Sequence, residues 1–102
     1  MKKLLVAAAF ATTTWNTPAS AASLDGSALL RWCNGPDSQF CNGYLLGIAS
    51  ASTGVCFPSA NVNTQQMRAI VVRYLTARPE HWHREAVELV LEALRATWPC
   101  HK

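Results

Sequence analysis

The sequence predicts an all-α fold, a small antiparallel helical bundle of about four helices stapled by two disulfides. Three observations predict it. Apolar residues recur at spacings of three and four, the mark of one helical face, and no run shows the period-two alternation of a half-buried strand. Turn residues divide the chain into four segments of helical length. Four cysteines, an even number, all lie beyond a leader-like N-terminus in a short chain.

The leader comes first. Met1-Lys2-Lys3 is a short positive region, and Leu4 to Ala11 is an apolar run of signal-peptide length. Thr12 to Thr14, Asn16 and Pro18 break that run well short of the roughly 20 apolar residues that a membrane-spanning helix needs. The stretch TPASAAS places small residues at both cleavage-site positions for a cut after Ala21 or after Ala22. Residues 1–22 are therefore expected to be a signal peptide and residues 23–102 one exported domain, with no membrane attachment after cleavage. The net charge of +3 includes Lys2 and Lys3, so the mature chain is close to neutral. Its composition makes no case for nucleic acid or an anionic membrane. A domain this small buries a limited share of its surface, and staples are the usual remedy.

The first helix is expected near Ser27 to Cys33, capped by Asp25 or Ser27, with Leu29, Leu30 and Trp32 as apolar surface. Asn34 to Gln39 breaks it. The second runs from Phe40 to about Ser52. Its residues Gly43, Gly47 and Ala51 stand four apart and form one stripe of small residues. Glycine inside a helix costs about 0.5–1 kcal/mol relative to alanine, so two of them point to a closely packed backbone, either within the monomer or at a dimer or partner face. Thr53 to Asn63 is a loop. Asn63 with Gln66 three residues on reads as a capping box that opens the third helix. Met67, Ile70, Val71, Tyr74 and Leu75 make its apolar face, and Pro79 ends it. The fourth helix is expected from about His83 to Thr97. Val87, Val90, Leu91, Leu94 and Trp98 form its stripe, and Arg84–Glu88 and Glu92–Arg95 can pair at helical spacing.

Geometry ranks the three disulfide pairings that four cysteines allow. A helix from about 41 to 52 is roughly 16–18 Å long, whereas bridged Cα atoms lie within about 7 Å. Cys41 and Cys56 sit beyond opposite ends of that helix, so they should not bond to each other. With short connections and antiparallel neighbours, the third helix returns toward the first bridge end, and the consistent set is Cys33–Cys41 with Cys56–Cys100. In the chain-entropy model the two loops contribute roughly 2.5 and roughly 4 kcal/mol.

Catalytic chemistry finds little footing. A thiolate nucleophile needs a free cysteine, and all four are assigned to bridges. No serine lies in a GxSxG context. His81 and His83 stand two apart and would point to opposite sides of a helix, so no metal ligand set and no cofactor is predicted. The group around His81-Trp82-His83 reads as a helix N-terminus with a half-buried tryptophan or as a recognition loop.

The segments ALLRWC, FCNGYLLGIASA, VCFP and VNTQQMRAIVVRYLTARPEHWHREAVELVLEALRATWPC resemble the Rap/Tai family of immunity proteins, which act against type VI secretion amidase effectors. The four cysteines in order, the CxGYxxG helix start, the C-x-P loop, the polar cap with Gln66, the YLxxxPE turn and the closing W-P-C carry the resemblance, from about Leu29 to Cys100. It implies a periplasmic helical domain, often a homodimer, that plugs the cleft of a cell-wall amidase with an interhelical loop. By position the loop is Arg78, Glu80, His81, Trp82 and His83. Ser50 departs from the pattern, since many members carry an acidic residue there. The alternatives are a periplasmic acid-stress chaperone and a binding module with another protein partner.

Overall fold

Helical periodicity becomes four helices in a computed structural model, which describes residues 24–36, 38–58 and 62–100. The expected signal peptide and its cleavage site at Ala21 or Ala22 lie outside these residues. The helices are α1 (Gly26–Asn34), α2 (Ser38–Ala51), α3 (Thr64–Thr76) and α4 (Ala86–Thr97), with a 3-10 turn at Pro79–His81 between the last two. Each helix packs against the other three. Among the described residues the only β-type pairings are two isolated bridges, Asp25 with Glu85 and Val55 with Pro99.

Local chemistry explains the helix starts. Asp25 caps α1, its carboxylate accepting from the Ala28 amide at 2.9 Å and the Ser27 hydroxyl at 3.0 Å. The capping box of α3 is complete. Asn63 Oδ1 accepts from the Gln66 amide at 2.8 Å, and Gln66 Oε1 accepts from the Asn63 amide at 2.9 Å. The start of α4 is a correction: the helix begins at Ala86, not near His83. Residues 82–85 direct backbone groups to the segment around the start of α1 instead. Trp82 and Arg84 carbonyls accept from the Ser27 and Gly26 amides at 3.2 and 3.1 Å, and the Ala86 amide donates to Leu24 at 2.7 Å.

The core collects one face from each helix: Leu29 and Cys33, Cys41 and Leu45, Met67, Val71 and Leu75, then Ala86, Leu89, Val90, Ala93 and Leu94. Full burial of an aliphatic side chain of this size stabilises by about 1.5–3 kcal/mol. The face that α4 buries is rotated from the expected stripe. Val90 and Leu94 are buried as expected, but Val87 is 39% exposed and Leu91 only half-buried, while Leu89 is fully buried. The apolar arc of α4 is wider than the core it meets, and its excess faces outward.

Both expected disulfides are present, Cys33–Cys41 and Cys56–Cys100, each with Cα atoms 5.0 Å apart. The route between them differs from simple alternation. α3 opens near the Cys33–Cys41 bridge, where Arg68 Nη1 lies 3.4 Å from Asn42 Oδ1. It closes near the start of α1, since Trp82 bonds both the Leu75 carbonyl and the Ser27 amide. α3 therefore lies antiparallel to α1. At the second bridge the Cys56 amide donates to the Trp98 carbonyl at 2.9 Å, and the Phe57 and Trp98 rings pack with centroids 5.1 Å apart.

Candidate functional site

Between α3 and α4 the chain turns a tight corner. Pro79 cannot continue α3, and the amides after it fold back on nearby carbonyls: Arg78 to Leu75 at 3.0 Å, His81 to Arg78 at 3.0 Å, Trp82 to Pro79 at 3.2 Å and Arg84 to His81 at 3.0 Å. Four successive short bonds leave this backbone little freedom.

The corner gathers every residue expected there but gives them different tasks. Trp82 is an anchor. It is half-buried against the core, and its indole Nε1 donates to the Leu75 carbonyl at 2.7 Å. Arg78 is drawn inward, with its guanidinium 3.8 Å above the Tyr74 ring centroid and Nη1 donating to the Tyr74 carbonyl at 3.2 Å. Pro79, Glu80 and His83 are exposed. His81 is half-buried, with Nε2 4.0 Å from the Glu80 carboxylate and an enclosed Nδ1 that has no hydrogen-bond partner among the described residues.

Beneath the corner lies a charged cluster that short-range sequence reading resolved only in part. Arg84 pairs with Glu88 at 3.2 Å, as helical spacing predicts. It also forks onto Glu92, making a short Nη2 contact to Oε2 and a second bond from Nη1 to Oε1 at 3.3 Å. The Tyr74 hydroxyl donates to Glu92 Oε1 at 3.0 Å. The expected Glu92–Arg95 pair does not form, because Arg95 instead donates to the Thr53 carbonyl at 2.9 and 3.2 Å. Hydrogen bonds from Arg84, then from Tyr74, hold the Glu92 carboxyl below the usual glutamate range against the opposing effect of burial. Burial, followed by the Glu92 carboxylate, pushes the Tyr74 phenol up.

The stripe of Gly43, Gly47 and Ala51 lies elsewhere, and of its two expected readings the one within the monomer does not hold among the described residues. All three residues are exposed, and a Cβ added at Gly43 or Gly47 would meet nothing within 4 Å. Among the described residues no backbone packs there. The stripe instead floors an open apolar groove walled by Tyr44 and Ile48 and by Val87 and Leu91, the outward excess of α4. Ser50 is also exposed on α2, and no residue of that 14-residue helix is charged.

Among the described residues no group of three or more His, Cys, Asp or Glu is placed to hold a metal ion, and no cysteine is free. What the arrangement offers is a stiff, exposed corner on a cross-linked body. Comparison with family models gives a match to the Rap1a immunity proteins over residues 25–100, from the cap of α1 to the second cysteine of the long bridge. Among curated proteins nothing matches.

Proposed function

Because the chain belongs to the Rap1a immunity proteins by a match over residues 25–100, we propose that it is a periplasmic immunity protein that binds a type VI secretion peptidoglycan amidase effector and occludes its cleft. The observation that carries the reading is the 78–83 corner. Its backbone is held by four short hydrogen bonds, and Trp82 nails it to the bundle, while Pro79, Glu80 and His83 face outward. An inhibitor that works by filling a cleft needs shape and rigidity rather than a reacting group, and a preformed loop loses little entropy on docking.

Export fits the same reading. The N-terminal residues have the order of a secretory leader, and two disulfides belong in an oxidising compartment. Homodimer formation is part of the proposal, with Gly43, Gly47 and Ala51 as its close-packing surface. None of the described residues fills that stripe, and the uncharged α2 offers a second α2 no repulsion.

The test uses the mature chain, residues 23–102, and a purified amidase effector from the same cell. Tight binding with loss of muropeptide release is expected, and Glu80→Lys or His83→Ala should weaken both. Deletion in the cell should expose the wall to the effector. An amidase that neither binds the chain nor is slowed by it would overturn the proposal.

A further inference from the structure

We propose that Arg78, Tyr74, Glu92 and Arg84 form a non-covalent bracket that fixes the shape of the 78–84 corner, with Arg78 and Arg84 as positioning residues rather than contact residues. The four side chains form a chain of contacts under the corner, and the backbone from Arg78 to Arg84 closes it. Arg78, at its first end, stacks on Tyr74 and donates to the Tyr74 carbonyl. The Tyr74 hydroxyl reaches Glu92 at 3.0 Å. Glu92 takes the fork of Arg84, at the corner's other end, where the Arg84 amide already bonds the His81 carbonyl. The two ends of one turn are thus joined through side chains of two helices, α3 and α4.

The bracket is not what packs those helices. Val71, Leu75, Leu89 and Val90 already share one buried core cluster, and of the four bracket residues only Tyr74 packs against it, through its ring. Nor is it a set of scattered surface pairs. One carboxylate receives both an arginine fork and a phenol, and each bond orients the acceptor for the other. Arg78 spends its cation on Tyr74, so the side chains left to meet a partner are Pro79, Glu80 and His83. This assignment of roles rests on the corner being the partner-facing element, but the bracket itself can be tested without a partner.

Hydrogen exchange on the mature protein is compared with that of Glu92→Gln and Tyr74→Phe, the second of which keeps the ring under Arg78 and removes only the hydroxyl. The amides of His81, Trp82 and Arg84 are expected to lose protection by roughly three- to tenfold, while amides in the middle of α2 stay unchanged. Unchanged protection at the three corner amides in both variants would overturn the bracket. So would a uniform loss across all four helices, which would mark the cluster as ordinary helix packing. With the amidase present, Glu92→Gln should raise the dissociation rate by a similar factor without touching the contact residues. If Glu80→Lys and His83→Ala leave amidase binding intact, the corner is not the contact and the functional reading fails, while the exchange result still decides the bracket.

Discussion

Alanine at three glycines should change stability in opposite directions. At Gly26, the first residue of α1, an added Cβ would lie 2.7 Å from Leu89 Cδ1 and 3.2 Å from the Trp82 Cα. Leu89 is fully buried, and the Trp82 backbone is tied to Ser27 and Pro79, so neither can move aside cheaply. Overpacking of this kind costs about 1–3 kcal/mol, against which the better helix propensity of alanine returns about 0.5–1. The expected result for Gly26→Ala is a net loss of up to about 2.5 kcal/mol. For a domain of this size that lowers the melting temperature by several degrees. At concentrations where the chain is a monomer, Gly43→Ala and Gly47→Ala meet open space, so propensity acts alone and each should gain about 0.5–1 kcal/mol. Urea unfolding of the mature chain, at protein concentrations spanning two decades, reads all three. Gly26→Ala at or above wild-type stability would refute the packing argument. A loss at Gly43 or Gly47 that is independent of concentration would refute the open groove, whereas a loss that grows with concentration identifies a second copy seated on the stripe.

Three further outcomes follow from the same geometry. Replacing Cys56 and Cys100 together by alanine opens a 44-residue closure and should cost about 4 kcal/mol in urea unfolding, and a loss below about 1 would contradict the loop-closure account. Asn63→Ala removes the acceptor for the Gln66 amide and should cost about 1 kcal/mol by the same measurement, with a neutral result counting against the capping box. The Glu92 carboxyl titrates below its ordinary range in the folded chain, chiefly because of Arg84, so its contribution is complete above that range and is lost as pH falls through the depressed value. Melting curves between about pH 5 and about pH 3 should show wild type losing stability faster than Glu92→Gln. A constant gap between the two curves would contradict that linkage.

Most of the fold was legible because short-range rules govern it. Asn63 and Gln66 announce α3, Pro79 ends α3, and the length of α2 separates Cys41 from Cys56. The misplacements arose where a residue answers to a distant partner. His83 to Glu85 look helical by composition, yet residues 82–86 are claimed by backbone bonds to Leu24, Gly26, Ser27 and the Asp25 bridge, which no local window contains. Val87 and Leu91 carry the helical period, but a period does not say where a wide apolar arc stops facing the core. For the candidate site, position marked the corner, and composition could not separate Trp82, an anchor, from His83, which is exposed. Glu92 lies 18 residues from Tyr74 and eight from Arg84. The only sequence hint was a pair of acids, Glu88 and Glu92, one and two turns beyond Arg84.

The two cross-links differ in accessibility as well as span. Cys33 and Cys41 are sealed in the interior, whereas Cys56 and Cys100 stand at the surface, beyond the ends of α2 and α4. A reductant therefore reaches first the bond that encloses most of the domain and last the one that encloses eight residues. Its loss frees the far end of α4, the helix that supplies five of the twelve core residues among those described, so one exposed bridge makes the stability of the whole body answer to its redox surroundings.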